Sequence, residues 1–139
     1  MQNNNCIFCK IIAGEIPSAI VYEDADFKAI MDIFPAAKGH VIILSKRHVA
    51  NLYELDDDTA TKALLVARKL AKAIQSELQC EGINLLQNNG EAAGQTIFHF
   101  HMHLIPRYQG DQVKTTWTPG KYEEGEAASV AAAIAAKLS

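Results

Sequence analysis

The chain has 139 residues, 49% hydrophobic and 21% charged, with a formal net charge of -3 and a pI near 5.9. That length buries a core without disulfide staples, and the acidic balance argues against a protein that grips long nucleic acid, for which a basic face is needed. No run is apolar and long enough to span a bilayer, and the opening MQNNNCIFCK lacks the apolar stretch of a secretory signal, so no membrane partner and a cytoplasmic location are expected.

In chain order, CKIIAGEIP predicts a short helical turn ended by Gly14 and Pro17. IVYED (20–24) and DFKAIMD (26–32) are β-rich runs that form a hairpin. Pro35 and Gly39 mark a loop, and the apolar run Val41 to Leu44 within GHVIILSKRH (39–48) predicts a buried strand. DDDTATKALLVARKLAKAIQSELQ starts acidic, which suits a helix N-terminus. Leu64, Ala67, Leu70, Ala71, Ile74 and Leu78 give that helix one packed stripe. GINLLQNNG (82–90) is a strand running into a turn, and QTIFHFHMHLIPR (95–107) is the last strand, stopped by Pro106. The stretch YQGDQVKTTWTPGKYEEG shows no period. A terminal helix in EAASVAAAIAAKLS places Val130, Ile134 and Leu138 on one stripe. No repeat or second domain is visible, so 1–139 is expected to be a single domain.

HFHMH (99–103) holds three of the five histidines, at every second position. Successive strand side chains point to opposite faces. Phe98, Phe100, Met102 and Leu104 then share a core face, and His99, His101 and His103 share the other. Same-face neighbours lie roughly 6.6 Å apart along a strand, too far for easy hydrogen bonds between their rings, so each is expected to have its own partner. One extended ligand contacted at three points, or two adjoining sites, fits the spacing. An edge strand with incidental histidines, or three histidines on one ion, fits it less well, because ligands sit only about 2.0–2.1 Å from zinc.

Cys6 and Cys9 form a C-x2-C pair. Alone this also fits a redox pair or two buried thiols. A structural zinc needs two more ligands, and His48 and His99 are the candidates for a Cys2His2 site. Cys80, at the end of the long helix, is expected to be a packed small residue.

HFHMHLI fits His-φ-His-φ-His-φ-φ, with φ apolar, and the chain resembles the histidine triad (HIT) family of nucleotide hydrolases and transferases. CIFCKIIAGEIPSAIVYEDADFKAIMDIFPAAKGHVIILSKRH is similar to the family's N-terminal half, and NNGEAAGQTIFHFHMHLIPR to its signature region. The resemblance covers about residues 6–107, leaving 108–139 as a C-terminal extension. It implies an α+β fold with a five-stranded antiparallel sheet, one long helix and a C-terminal helix, in a homodimer whose sheets join. By the same resemblance, His101 matches the nucleophile. His103 matches the histidine facing phosphate oxygens and the leaving group, and His40 a histidine bordering the phosphate. Asp32 and Ile33 match ribose and base-pocket positions, and Ile7 and Phe8 further base-pocket positions. Asn88 matches a polar residue near the phosphates, and Gly94 and Thr96 a phosphate-binding turn. Members with the cysteine pair and a histidine like His48 bind one structural zinc per chain, completed by the first triad histidine, here His99. No organic cofactor is implied.

The expected activity is hydrolysis or nucleotidyl transfer at the α-phosphate of a purine nucleotide, through a covalent nucleotidyl-histidine on His101. Substrates are nucleoside phosphoramidates or dinucleoside polyphosphates. The LIPR ending is closer to the polyphosphate branch, the length and N-terminal half to the phosphoramidase branch. The alternative is a zinc-stabilised nucleotide-binding regulatory dimer with little turnover. Without the resemblance, Asp32 and Asn88 would be ordinary turn residues.

Overall fold

In the computed structural model, which describes residues 3–138, five antiparallel strands form one sheet in the order β1-β2-β3-β5-β4. The elements are α1 (Ile7–Ile12), β1 (Ile20–Glu23), β2 (Phe27–Met31), β3 (Val41–Ser45), α2 (Asp57–Leu78), β4 (Gly82–Leu86), β5 (His101–Arg107) and α3 (Glu126–Ala135). Among the described residues no helix is long and apolar enough to cross a membrane.

The two-residue period of the strands sorts the side chains between two layers. Phe27, Ala29, Val41, Ile43, Met102 and Leu104 pack with Ala63, Val66, Ala67, Leu70 and Ile74 of α2. On the other face Ile30, Ile42 and Leu44 pack with Phe8 and Ile11 of α1. The central strand β3 is buried along its whole length, which is why Val41 to Leu44 is continuously apolar. The predicted hairpin is β1–β2, and Cys80 is buried in the core against α2.

Asp56 caps α2 by accepting a hydrogen bond from the Thr59 backbone N–H at 3.0 Å, and Asp57 and Asp58 face the positive end of the helix dipole. The packed stripe of α2 is the predicted one from Ala67 on, with Leu70 and Ile74 buried and Ala71 and Leu78 against the core; it departs only in the first turns. Ala63 and Val66 are buried, while Leu64 is 65% exposed. The small Ala63 and Ala67 let the helix lie close on the sheet, and Leu64 turns outward.

The last strand is shorter than predicted, beginning at His101 and not at Gln95. Residues 95–100 leave the ladder because other partners claim them. The buried Gln95 amide bonds the Ala50 and Ile97 carbonyls and the Gly90 N–H, and the Phe100 N–H bonds the Val49 carbonyl. Phe98 therefore lies on the surface, 48% exposed, and His99 precedes the strand instead of opening it. At the other end β5 runs through Pro106 to Arg107 against β4. Proline is tolerated because pairing with β3 stops at Val41↔Leu104.

Two contacts fix the ends of the site-bearing elements. Lys28, buried on β2, donates from Nζ to the Ile11 carbonyl at 3.0 Å and ties α1 to the sheet. Gly39, just before His40, has φ +96, and a Cβ there would collide with Leu78 Cδ1 and come within 3.1 Å of Pro106 Cγ. Gly39→Ala is expected to destabilise the protein by about 1–3 kcal/mol, from left-handed strain and crowding together. A urea titration checks this, and an unchanged midpoint contradicts it.

The terminal helix stripe forms as far as Val130 and Ile134, but no residue of α3 is buried, and Leu138 lies beyond its end.

Candidate active site and metal centre

Cys6 caps α1, accepting from the Cys9 N–H at 3.4 Å, so one turn of helix points both thiols the same way. His48 follows β3 and His99 precedes β5, and the β3–β5 pairing brings their rings to these thiols. Cys6 Sγ lies 3.4 Å from His99 Nδ1, Cys9 Sγ 3.3 Å from His48 Nδ1 and 3.6 Å from His99 Nδ1, and the two Nδ1 atoms are 3.1 Å apart. His99 Nε2 donates to the Ser45 carbonyl at 2.6 Å, so its Nδ1 carries the lone pair. Burial pushes His99 down to about 4 and raises the Cys9 thiol. Two sulfur and two imidazole donors thus converge with all four atoms within 4.8 Å of one another. Ligand-to-ligand edges of a tetrahedral Cys2His2 zinc are about 3.3–3.8 Å, from bonds of about 2.0–2.3 Å. The donor set fits such an ion, and the four residues form a possible metal site.

His101 and His103 project from β5 onto the α1 side of the sheet. His101 Nδ1 donates to the His99 carbonyl at 2.6 Å. A carbonyl only accepts, so Nδ1 holds the proton and Nε2 keeps a free lone pair. Phe8 meets this ring edge-on at 4.9 Å between centroids. His40 Nδ1 accepts from the Ala36 N–H at 3.0 Å, so Nε2 bears its proton and donates to His103 Nδ1 at 2.9 Å. His103 is left with Nε2–H as a donor. Asp32 Oδ2 lies 3.5 Å from His40 Nε2, and Asp32 Oδ1 accepts from the Phe34 N–H. Among the described residues no two triad rings bond each other, in line with the strand spacing; each has a separate partner.

Burial lowers the affinity of His101, His40 and His103 for protons, His103 to about 4. The Asp32 charge opposes this at all three, and the His99 carbonyl also opposes it at His101. All three are neutral at pH 7. The unfolded chain binds more protons than the folded one between the ordinary histidine value of 6.5 and about 4. Stability is therefore full above that window and falls as pH drops through it. The urea midpoint should decline from about pH 7 to about 4.5, less steeply in His103→Asn. Parallel pH profiles for the two proteins contradict this.

The histidines open onto a cleft of about 750 Å³. Every predicted catalytic and substrate residue lines it: His40, His101 and His103, with Ile7, Phe8, Asp32, Ile33, Asn88, Gly94 and Thr96. Phe8, Ile16, Ile30 and Ile42 make one apolar wall, and Asn88, Gly94 and Thr96 also line the cleft, Asn88 just after β4. Gly94 has φ +94 and would bring a Cβ within 3.4 Å of Asn88 Nδ2, so the turn and the amide are packed together. Sequence reasoning missed Gln112, Val113, Lys114 and Thr115, which also line the cleft. The one signal for them was Arg107 four residues before Asp111. Trp117 is 83% exposed.

An antiparallel sheet presenting neutral histidines to an apolar cleft with a few polar groups defines an α+β protein whose cleft has the size and lining of a small-molecule site. A HIT domain model matches residues 13–110. A member of the HIT family from Bacillus subtilis, known from its crystal structure, superposes with a TM-score of 0.92 at 45% identity, covering 98% of this chain and 99% of that one. Adenosine 5'-monophosphoramidase HNT1 of Candida albicans is 45% identical over 107 residues, 74% of this chain and 70% of the relative. A Zn-bound histidine triad family protein from Mycobacterium smegmatis superposes with a TM-score of 0.75 at 34% identity, covering 94% and 96%. The chain belongs to the HIT family.

Proposed function

We propose that this chain hydrolyses or transfers purine nucleotides at the α-phosphate, through a nucleotidyl-histidine on His101. The observation that carries the reading is the free Nε2 lone pair of His101, fixed by the Nδ1–His99 carbonyl bond at 2.6 Å and directed into the apolar cleft. Nε2 attacks phosphorus, an Nε2–P bond forms, and the bond to the leaving group breaks with its electron pair. The leaving atom takes its proton from solvent. The ring then carries positive charge on Nδ1–H, which the His99 carbonyl and the Asp32 carboxylate stabilise. Water attacks next and gives up a proton to solvent, the Nε2–P bond breaks with its electron pair staying on nitrogen, and the monophosphate leaves with His101 neutral again.

His103 Nε2–H, oriented by His40, holds a phosphoryl oxygen, with the Thr96 hydroxyl, the Gly94 turn and Asn88 on the other side. Asp32 and Ile33 receive the ribose, and Ile7, Phe8 and Ile33 the base. Cys6, Cys9, His48 and His99 hold one structural zinc, which cross-links the N-terminal helix to the ends of β3 and β5. The Zn-bound relative supports this assignment. The working unit is a single-domain chain in a cytoplasmic homodimer that uses no organic cofactor, nucleic acid or membrane.

The test is incubation of the zinc-loaded protein with adenosine 5'-phosphoramidate, following AMP by chromatography. AMP release is expected. Saturable binding without AMP overturns the enzymatic reading and favours the regulatory dimer.

A further inference from the structure

The stretch after Arg107 has no sequence period, yet Arg107 ties it down with its whole guanidinium. Nε and one terminal nitrogen fork onto the Asp111 carboxylate at 2.8 Å each. The same group reaches the Val113 carbonyl at 2.9 Å, Thr115 Oγ1 at 3.0 Å and Asn84 Oδ1 at 2.7 Å. Asp111 also accepts from the Tyr108 and Val113 N–H groups, at 2.9 and 3.2 Å. Fork-to-fork pairing of this kind fixes geometry as well as charge. Residues 108–115 therefore form a strap, not a loose tail, and its end lies on the rim of the cleft.

The strap's position along the sheet matters. On β4, Asn84 pairs with Ile105 and Leu86 with His103. Arg107 grips Asn84, so the strap approaches from the His103 end of the histidine row, away from His99 and the metal site. Among the described residues Lys114 is the sole lysine or arginine lining the cleft, and it is exposed. It takes part in none of the ion pairs among the described residues. The charge of Arg107 is neutralised by Asp111.

We propose that the strap selects for a leaving group that itself carries phosphate, with Lys114 as the cation that holds it and Arg107 as the residue that positions it. The inference rests on the nucleotide reading above and adds a substrate class to it. The α-phosphate lies over His101, and the leaving group extends past His103 towards the strap. A leaving amine gives Lys114 nothing to hold. A second phosphate gives it a charge-assisted partner.

The test uses the zinc-loaded dimer or monomer as purified and two uncleaved probes, AMP and adenosine 5'-(α,β-methylene)diphosphate. The readout is the ratio of their dissociation constants by calorimetry. The diphosphate should bind more tightly in the native protein. Lys114→Ala should cut that preference by about fivefold or more, the scale of one charged contact at an accessible rim. Lys114→Arg should retain it, and the lysine-dependent part should shrink in about 0.5 M salt. Arg107→Lys, which loses the fork, should lower the ratio in the same direction. A ratio equal in the native protein and Lys114→Ala overturns the inference while AMP binding leaves the nucleotide reading standing. Failure to bind AMP at all sinks both.

Discussion

Replacing His101 with Ala is expected to lower kcat for adenosine 5'-phosphoramidate by at least about 10³-fold, with the fold intact. The size follows from what is lost. In the proposed route no other residue supplies a lone pair at the cleft floor. His103 turns an N–H to the site, because His40 Nε2 donates to its Nδ1 at 2.9 Å, and His40 Nε2 is occupied by that same bond. AMP affinity should change little, because the contacts assigned to ribose, base and phosphate remain. Steady-state kinetics with circular dichroism checks both halves. A variant that retains a tenth or more of native kcat removes His101 from the chemistry.

Removing the proposed zinc, or one of its proposed ligands by Cys9→Ser, is expected to give the second large effect. Four donors within 4.8 Å of one another, two of them buried, are left without the cation that reconciles them. The expected loss is about 3–5 kcal/mol, or roughly 10–17 °C in Tm for a chain of this size. Activity should fall as well, for a reason specific to this geometry. One residue serves both centres: the His99 ring belongs to the proposed metal site, and its backbone carbonyl fixes the tautomer of His101. Metal analysis of the native protein should give about one zinc per chain, and thermal melts with and without a chelator should differ. Metal-free protein with unchanged Tm and kcat contradicts both the zinc assignment and the coupling.

How legible this was in the sequence depended on how local each signal is. Alternation in HFHMH placed His101 and His103 on one face and Met102 and Leu104 on the other, because a strand's period is set by its own backbone. The same rule failed at Phe98, which is exposed, while His99 keeps the predicted side, against Phe8 of α1, but lies outside the strand. There, partners far along the chain, the Ala50, Val49 and Ser45 carbonyls, draw the backbone and rings out of the ladder. Leu64 was misplaced because the face a helix buries depends on the sheet beneath it, not on spacing alone. The binding cleft was legible only through the family resemblance; Asp32, Asn88 and Thr96 carry no signal of their own. The strap left only one trace, Arg107 four residues before Asp111. Its conformation is held by one guanidinium making contacts with Asn84, Asp111, Val113 and Thr115, and such a network has no period.

The most direct test of the central claim is the intact mass of the protein mixed with adenosine 5'-phosphoramidate and quenched in alkali, where a phosphorus–nitrogen bond to histidine survives better than in acid. The account predicts a species heavier by one adenylyl group, absent from His101→Ala. AMP released at full rate by the native protein, with no adduct at any quench time down to a single turnover, would contradict a covalent route and leave His101 at most a base for direct attack by water.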